Sequence, residues 1–391
     1  MASNTGPVNA LTCTVLEGRP VAVLGFEDHM VRVWDLTTGQ IREPLTGHTG
    51  PVMAVACTDD PPIVVTGSTD ETVRVWDLTS GSQVGSPLAG HTNTVTAATC
   101  AVLDGRPVAV SASTDDTVCI RDLTTGRLMN QSPTGHTLPV TTMAGTVLDA
   151  CPIAATGSWD HKVRLWDLTA GQPMGEPLGH YDAVMAVAFT TVRNRPVVVT
   201  GVRNGEVCLW DLTTRQQVRT PLIGHTDAVT ALACTTMDSR PIAVTGSADH
   251  SVRVWDLASQ RQIGDPLTGH RDVVTAVACT TVEDCPVAVT SSADETVRIW
   301  DLATLRPVGK PLTGHTELIH ALACTMLDGT PIAVTGSSDH TVRVWDLMSR
   351  RVMHTLTVPD SCEAVAIAEP DLLVCAFGDD LAVFKRPHSD Q

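Results

Sequence analysis

The chain has 391 residues, of which 43% are hydrophobic and 18% charged, and its mean hydropathy is +0.09. No apolar run approaches the ~18 residues of a membrane span, and residues 1–13 lack the basic and apolar regions of a signal peptide, so a membrane protein is not expected. A formal net charge of −17 argues against nonspecific binding to nucleic acid or to anionic membranes.

In chain order, the first recurring element is a Trp-Asp pair that begins at Trp34. Successive copies are separated by 42, 45, 45, 44, 45, 45 and 45 residues, with Arg121 in the Trp position of one copy. A Gly-His pair recurs in constant phase with it, and a period of about 45 residues is typical of four-stranded propeller blades. The Trp copies are Trp34, Trp76, Trp166, Trp210, Trp255, Trp300 and Trp345, and the His copies are His48, His91, His136, His180, His225, His270 and His315.

Each unit reads as four short strands, here called a to d, separated by turns. In the unit that follows His225 the segments VTALACT, PIAVTGS, VRVWDL and QIGDPLTG are separated by TMDSR, ADHS and ASQR. Apolar strands such as PIAVTG predict burial on both faces, as happens when each sheet packs between two others. The predicted units are 8–46, 51–89, 94–134, 139–178, 183–223, 228–268, 273–313, 318–358 and 361–386.

These units resemble WD40 repeats over almost the whole chain, because Gly-His, Ser/Thr-Gly-Ser-x-Asp and Trp-Asp recur together at fixed offsets. The resemblance implies one all-β domain, residues 1–391, that forms a single closed β-propeller of four-stranded antiparallel blades. In the last unit VFKR stands in place of VWDL and Thr357-Val358 in place of Gly-His. We therefore expect nine blades, the ninth with three strands because no fourth strand follows it, with an eight-bladed ring and an atypical closing segment as the alternative.

The resemblance also implies a hydrogen-bonded set of His, Thr, Asp and Trp inside each regular blade. An indole N–H among apolar strands needs an acceptor, the hydroxyl can relay to the imidazole, and the Asp can satisfy the other imidazole nitrogen. A catalytic triad would occur once, whereas this set occurs five times, so a structural role is expected. The sets are His48, Thr66, Asp70, Trp76; His136, Thr156, Asp160, Trp166; His225, Thr245, Asp249, Trp255; His270, Thr290, Asp294, Trp300; and His315, Thr335, Asp339, Trp345.

Six of the twelve cysteines occupy one column of the repeat, at the end of segments such as ALACT. Equivalent positions diverge around a ring, so we expect free buried thiols and a reducing compartment, the cytoplasm. The chain has no C-x-x-C pair or zinc spacing, and no metal or cofactor is predicted. The column consists of Cys13, Cys57, Cys100, Cys234, Cys279 and Cys324.

The most informative departures from the repeat lie where the resemblance places the top rim, formed by the d–a loops and the b–c turns. Trp159 and Arg203 occupy the variable slot of two successive b–c turns, and Tyr181, the single tyrosine, lies in the d–a loop between them. Trp, Tyr and Arg are the residues of interface hot spots, although Trp159 could instead cover a loosened blade edge. The expected partner-binding residues are Trp159, His161, Tyr181, Asp182, Arg203 and Asn204.

A second departure lies near the seam of the ring. Five residues after the Gly-His histidine most units have Met or Thr, but Asn9, His320 and Glu363 occupy this position in units 1, 8 and 9. In a closed ring these residues are neighbours at the channel mouth, where a His beside a carboxylate could bind a ligand or transfer protons. The alternative is that they satisfy polar groups at an irregular seam.

Two functions are therefore considered. The first is a non-catalytic scaffold or sensor that binds a protein or peptide through its top loops, as the WD40 resemblance implies. The second is a small-molecule or enzymatic site at the channel mouth. The excess of Arg over Lys and the similarity of the repeats resemble the WD40 modules of bacterial signalling proteins. A monomer is the default expectation, with no nucleic-acid or membrane partner.

Overall fold

The structure is a computed structural model. It describes residues 8–35, 40–58, 61–88, 90–103, 106–115, 117–123, 129, 135–148, 151–168, 172–283, 285–327, 330–357, 362–369, 372–377 and 380–385. Throughout these ranges the regular structure is β-strand, with no helix. Within the same ranges there is accordingly no helix with the length and hydropathy to cross a membrane.

The described strands form nine antiparallel sheets, each following the chain as a meander. The first four sheets contain β1 Val8–Leu16, β2 Arg19–Phe26, β3 Val31–Asp35; β4 Val52–Thr58, β5 Ile63–Ser68, β6 Val73–Asp77, β7 Ser82–Gln83; β8 Val95–Leu103, β9 Arg106–Ser113, β10 Val118–Asp122; and β11 Val140–Leu148, β12 Cys151–Ser158, β13 Lys162–Asp167, β14 Gln172–Pro173, β15 Leu178–Gly179. In the fourth sheet β14 and β15 are two segments of one outer strand, since both pair with β13.

The other five sheets follow in the same order. They contain β16 Val184–Val192, β17 Arg195–Val202, β18 Val207–Asp211, β19 Gln216–Gln217; β20 Val229–Met237, β21 Arg240–Ser247, β22 Val252–Asp256, β23 Arg261–Gln262; β24 Val274–Val282, β25 Cys285–Ser292, β26 Val297–Asp301, β27 Arg306–Pro307; β28 Ile319–Leu327, β29 Thr330–Ser337, β30 Thr341–Asp346, β31 Arg351–Thr357; and β32 Cys362–Glu369, β33 Leu372–Phe377, β34 Asp380–Lys385.

The sheets are arranged as a ring. The first strand of each sheet contacts the first strand of the next, and β32 of the last sheet contacts β1 of the first. Hydroxyl groups on these innermost strands also join neighbouring sheets: Thr230 donates to the carbonyl of Val274 at 2.5 Å, and Thr275 donates to that of Ile319 at 2.8 Å. The all-β propeller of antiparallel blades is thus confirmed.

The expected number of four-stranded blades is wrong. Seven sheets have a fourth, outer strand within the described residues, which in the first sheet is reduced to bridges at Ile41 and Leu45. The sheets β8–β10 and β32–β34 show three strands there, so neither nine nor eight four-stranded blades are seen. The sequence pattern identifies each unit by its three inner strands. A short, polar outer strand lacks a clear alternation of apolar and polar residues, so the pattern does not predict which units have a fourth strand.

The apolar core lies between consecutive sheets. Trp255 of the sixth sheet packs with Val207 and Leu222 of the fifth, and Trp300 of the seventh packs with Val252 of the sixth. Second strands whose burial is fully described are buried over most of their length, as in β17, β21, β25 and β29, and Ile63–Ser68 is buried at every position. The expectation from the continuous apolar runs is therefore confirmed, since each sheet is covered by neighbours on both sides.

The two rims of the ring are each tied by a repeated backbone hydrogen bond. On one rim the b–c turn amide donates to the d–a loop carbonyl, as from Ala248 to Ala228 at 2.9 Å. On the other rim the residue after Trp-Asp donates to the second strand, as from Leu257 to Pro241 at 3.1 Å. The d–a loops and b–c turns therefore share one rim, the top rim, and they lie on rigid strands.

Candidate functional site

Trp159 and Arg203 lie against each other across the boundary between the fourth and fifth sheets. The Arg203 Cζ atom is 5.0 Å from the centroid of the Trp159 ring. Backbone hydrogen bonds hold both turns, since the Trp159 amide donates to Pro139 at 3.1 Å and the Arg203 amide donates to Ala183 at 2.8 Å. The Trp159–Arg203 pair thus lies on two turns that backbone hydrogen bonds hold in place.

Exposed apolar side chains concentrate at this boundary. Trp159 is 39% exposed and Tyr181 is 84% exposed, so neither ring is buried between the sheets. Leu138, in the d–a loop before the fourth sheet, is 46% exposed, and its carbonyl accepts the Ser158 hydroxyl beside Trp159. Three of the seven exposed large apolar side chains in the described residues therefore lie on the successive top-rim loops before, in and after the fourth sheet. We call Leu138, Trp159, Tyr181 and Arg203 the rim patch.

Leu138 was missed by the sequence reasoning, although the repeat carries a signal for it. It follows Gly-His by two positions, where the other described units have polar residues or glycine. Comparing this column across the units would have found it. The column reads Gly50, Asn93, Leu138, Asp182, Asp227, Asp272 and Glu317.

His161, Asp182 and Asn204 border the rim patch with polar groups. The His161 Nε2 atom is 4.0 Å from Asp182 Oδ1, and the His161 carbonyl accepts the His180 amide at 2.8 Å. Asp182 also accepts its neighbouring amide, from Ala183, at 2.7 Å. Asn204 accepts the Glu206 amide at 3.1 Å and so shapes its own turn. His161 and Asp182 thus link the two sheets, whereas Asn204 acts locally.

The five sets of His, Thr, Asp and Trp are each brought together. The His Nδ1 atoms are 2.8–3.1 Å from the Asp carboxylates, the His Nε2 atoms are 2.8–2.9 Å from the Thr hydroxyls, and each indole N–H donates to the same hydroxyl at 2.8–2.9 Å. Because the hydroxyl oxygen accepts the indole proton, its own proton goes to Nε2, and Nδ1–H donates to the carboxylate.

The hydrogen-bonded sets are closed to substrates. The His side chains have no exposed surface, and the Thr residues are fully buried. In four of the sets a further hydroxyl, such as Ser251, donates to the Asp, a contact that the D-x-Ser/Thr pattern could have predicted. The polar side-chain groups of each His, Thr and Asp set thus make hydrogen bonds inside the protein, which favours the structural role.

The pKa values of these groups follow from burial and from the hydrogen bonds. Burial lowers the pKa of His225, although the charge of Asp249 and its hydrogen bond raise it. Burial raises the pKa of Asp249, but hydrogen bonds from Ser251 and the Thr226 amide outweigh this effect and lower the value to about 2. The set is therefore a neutral imidazole beside a carboxylate at neutral pH.

The fifth sheet has a different arrangement because Asn204 replaces the Asp. The His180 Nδ1–H donates to the Leu178 carbonyl at 3.1 Å, and Nε2 accepts the Trp210 indole N–H directly, also at 3.1 Å. The Thr200 hydroxyl lies 2.9 Å from the same Nε2 atom, but it does not stand between the indole N–H and the imidazole as the Thr hydroxyl does in the other sets. Without a carboxylate, burial lowers the pKa of His180 to about 4.

This difference predicts unequal costs for the same substitution. Thr245→Val should lower the free energy of unfolding by about 3 kcal/mol, because it leaves the Trp255 indole N–H and the His225 Nε2 buried without partners. Thr200→Val is the matched control and should cost about 1 kcal/mol, since Trp210 keeps its acceptor. Urea unfolding of both variants measures the difference, and equal costs would contradict the relay.

The three channel-mouth residues lie on adjacent innermost strands, but each of the two whose side chains are described is paired in its own sheet. Asn9 donates to Glu27 at 3.1 Å, and His320 Nε2 is 2.7 Å from the Ser338 hydroxyl. Glu363 belongs to β32, and its side chain lies outside the described residues. These pairings favour the alternative in which the residues satisfy polar groups at the seam.

The described part of the chain holds no group of three or more His, Cys, Asp or Glu residues placed to share a metal ion. Eight cysteines are described and all are free, including Cys57, Cys234, Cys279 and Cys324 of the repeat column. Burial raises the pKa of Cys234, Cys279 and Cys324 to about 12, which keeps these thiols protonated. The side chains of Cys13 and Cys100 lie outside the described residues.

Comparisons with known proteins agree with this geometry. The family model described as "WD domain, G-beta repeat" matches residues 39–77, 129–167, 215–256, 261–301 and 306–346, together more than half of the chain. The crystal structure of the computationally designed Ika8 protein is similar, with a TM-score of 0.65 and 29% identity over 87% of this chain and 98% of that one. No curated protein matches.

Proposed function

Since the chain belongs to the WD40 repeat family, we propose that it is a non-catalytic binding platform that engages a protein or peptide through the rim patch. The observation that carries this proposal is the presence of Leu138, Trp159 and Tyr181, all exposed, on the three successive top-rim loops before, in and after the fourth sheet. Exposing large apolar side chains to water is unfavourable, and binding to a partner stabilises the protein by covering this surface.

Two further features support the patch as a binding surface. Tyr181 and Arg203 belong to residues 168–214, which lie between two matched repeats and outside the family model, so this unit departs from the repeat where the patch is built. The Trp159–Arg203 stack is already formed, which lowers the entropic cost of ordering side chains on binding. A reducing cytoplasm and a bacterial source remain predictions from the sequence.

Replacing either Trp159 or Tyr181 by alanine should weaken binding to the partner by about 2 kcal/mol or more, roughly 30-fold, as expected of hot-spot residues. Thermal stability should barely change, because both side chains are exposed. Affinity capture from a lysate of the source organism, quantified by mass spectrometry, compares the wild type with the Trp159→Ala/Tyr181→Ala variant.

The matched control is Met348→Ala. Met348 is 45% exposed but follows Trp-Asp, so it lies on the opposite rim. A partner of the rim patch is retained by the wild type and by Met348→Ala and lost by the double variant. If every captured protein is retained equally by all three proteins, the rim patch is not the binding surface.

A further inference from the structure

Building on the proposed function, we propose that the rim patch recognises a peptide segment in which a carboxylate lies next to an aromatic or large aliphatic side chain. The exposed faces of Leu138, Trp159 and Tyr181 suit the apolar side chain. The Arg203 guanidinium suits the carboxylate, because its planar fork matches the two carboxylate oxygens.

The polar groups of the patch are almost all donors. The guanidinium of Arg203, the indole N–H of Trp159 and the hydroxyl of Tyr181 have no hydrogen-bond acceptor among the described residues. The guanidinium lies over the indole, with its Cζ atom 5.0 Å from the ring centroid, and its N–H groups remain available to a ligand. A ligand that complements this group of donors must supply acceptors.

The carboxylate of Asp182, which borders the rim patch, does not reverse this preference. Asp182 accepts the Ala183 amide at 2.7 Å, so one of its carboxylate oxygens is already engaged within its own loop. The following d–a loops place Asp227, Asp272 and Glu317, all exposed, on the same rim. Asp227 and Glu317 disfavour an acidic segment at their loops, whereas Arg271 offsets the charge of its neighbour Asp272.

The overall charge of −17 works against the approach of any anionic partner. Preference for an acidic peptide over a neutral one must therefore come from short-range contacts, in which Arg203 pairs with a carboxylate next to the apolar side chains of the patch. The expected consequence is slow association that salt accelerates, because screening weakens the long-range repulsion more than the contact itself.

The test uses a phage-displayed library of random 12-residue peptides, selected on the full chain and counter-selected on the Trp159→Ala/Tyr181→Ala variant. The selected peptides should contain Asp or Glu within two positions of Phe, Trp, Tyr or Leu. Enrichment of Lys or Arg peptides, or of purely apolar ones, would overturn the inference while leaving the patch as a binding surface. Failure to enrich any patch-dependent peptide would count against the proposed function and this inference together.

One selected peptide is then synthesised with Glu or Asp and with the corresponding amide. The amide peptide should bind at least tenfold more weakly to the wild type, and Arg203→Ala should weaken the carboxylate peptide by a similar factor. Arg203→Ala should also abolish the difference between the two peptides. Arg271→Ala is the matched control, because it removes the same charge from an exposed position on the same rim. An equal loss with Arg271→Ala would show that net charge, and not the stacked guanidinium, is recognised.

Discussion

Trp255→Ala is expected to lower the free energy of unfolding by about 3–5 kcal/mol, as is typical when a core Trp is truncated. The indole is 1% exposed and fills the space between the fifth and sixth sheets, where it packs with Val207 and Leu222. Its N–H also donates to Thr245 at 2.8 Å, so the substitution removes a buried hydrogen bond in addition to the packing. Urea unfolding monitored by circular dichroism measures the loss.

The matched control is Trp159→Ala, which removes the same side chain from an exposed position. It should change the free energy of unfolding by less than about 1 kcal/mol, because Trp159 is 39% exposed and does not belong to the buried apolar core between the sheets. Similar losses for the two variants would mean that Trp159 is a packing residue. That result would support the alternative interpretation, in which Trp159 covers a loosened blade edge.

Acidification is expected to destabilise the protein between pH 6.5 and about 4, before carboxylates are protonated. Buried histidines whose folded pKa lies below that of the unfolded chain take up protons on unfolding, so stability is lost as the pH falls through the unfolded value. For His180, lowering from 6.5 to about 4 corresponds to about 3 kcal/mol. The histidines with lowered pKa are His48, His91, His180, His225 and His315.

A second loss should follow at lower pH. The pKa values of Asp70, Asp160 and Asp249 are lowered to about 2 by their hydrogen bonds, so their contribution disappears as the pH falls from 3.8. The urea midpoint measured from pH 8 to pH 2 should therefore fall in two stages. His250→Asn, which removes an exposed histidine of the sixth sheet, should leave the first stage unchanged. A flat profile between pH 7 and pH 5 would contradict the assignment of neutral buried imidazoles.

The hydrogen-bonded sets of His, Thr, Asp and Trp show which side-chain contacts the sequence pattern can predict. Thr245, Asp249 and Trp255 lie within one unit, and their partner His225 precedes Thr245 by 20 residues, as in three of the other four sets, so the repeat and its family resemblance identify all four. The fifth sheet follows the same pattern but places His180 differently, because the missing Asp lets the ring turn to the Leu178 carbonyl. That choice depends on competing hydrogen bonds, which a pattern of residues does not rank.

The sequence by itself determined the blade period, the all-β class and the loops that carry Trp159, Tyr181 and Arg203, because these depend on order within about 45 contiguous residues. Tertiary structure alone decided how many sheets carry a fourth strand, the stacking of Arg203 on Trp159, and the exposure of Leu138. Those features join side chains from neighbouring sheets, and their energies depend on distances and solvent access that only the closed ring sets.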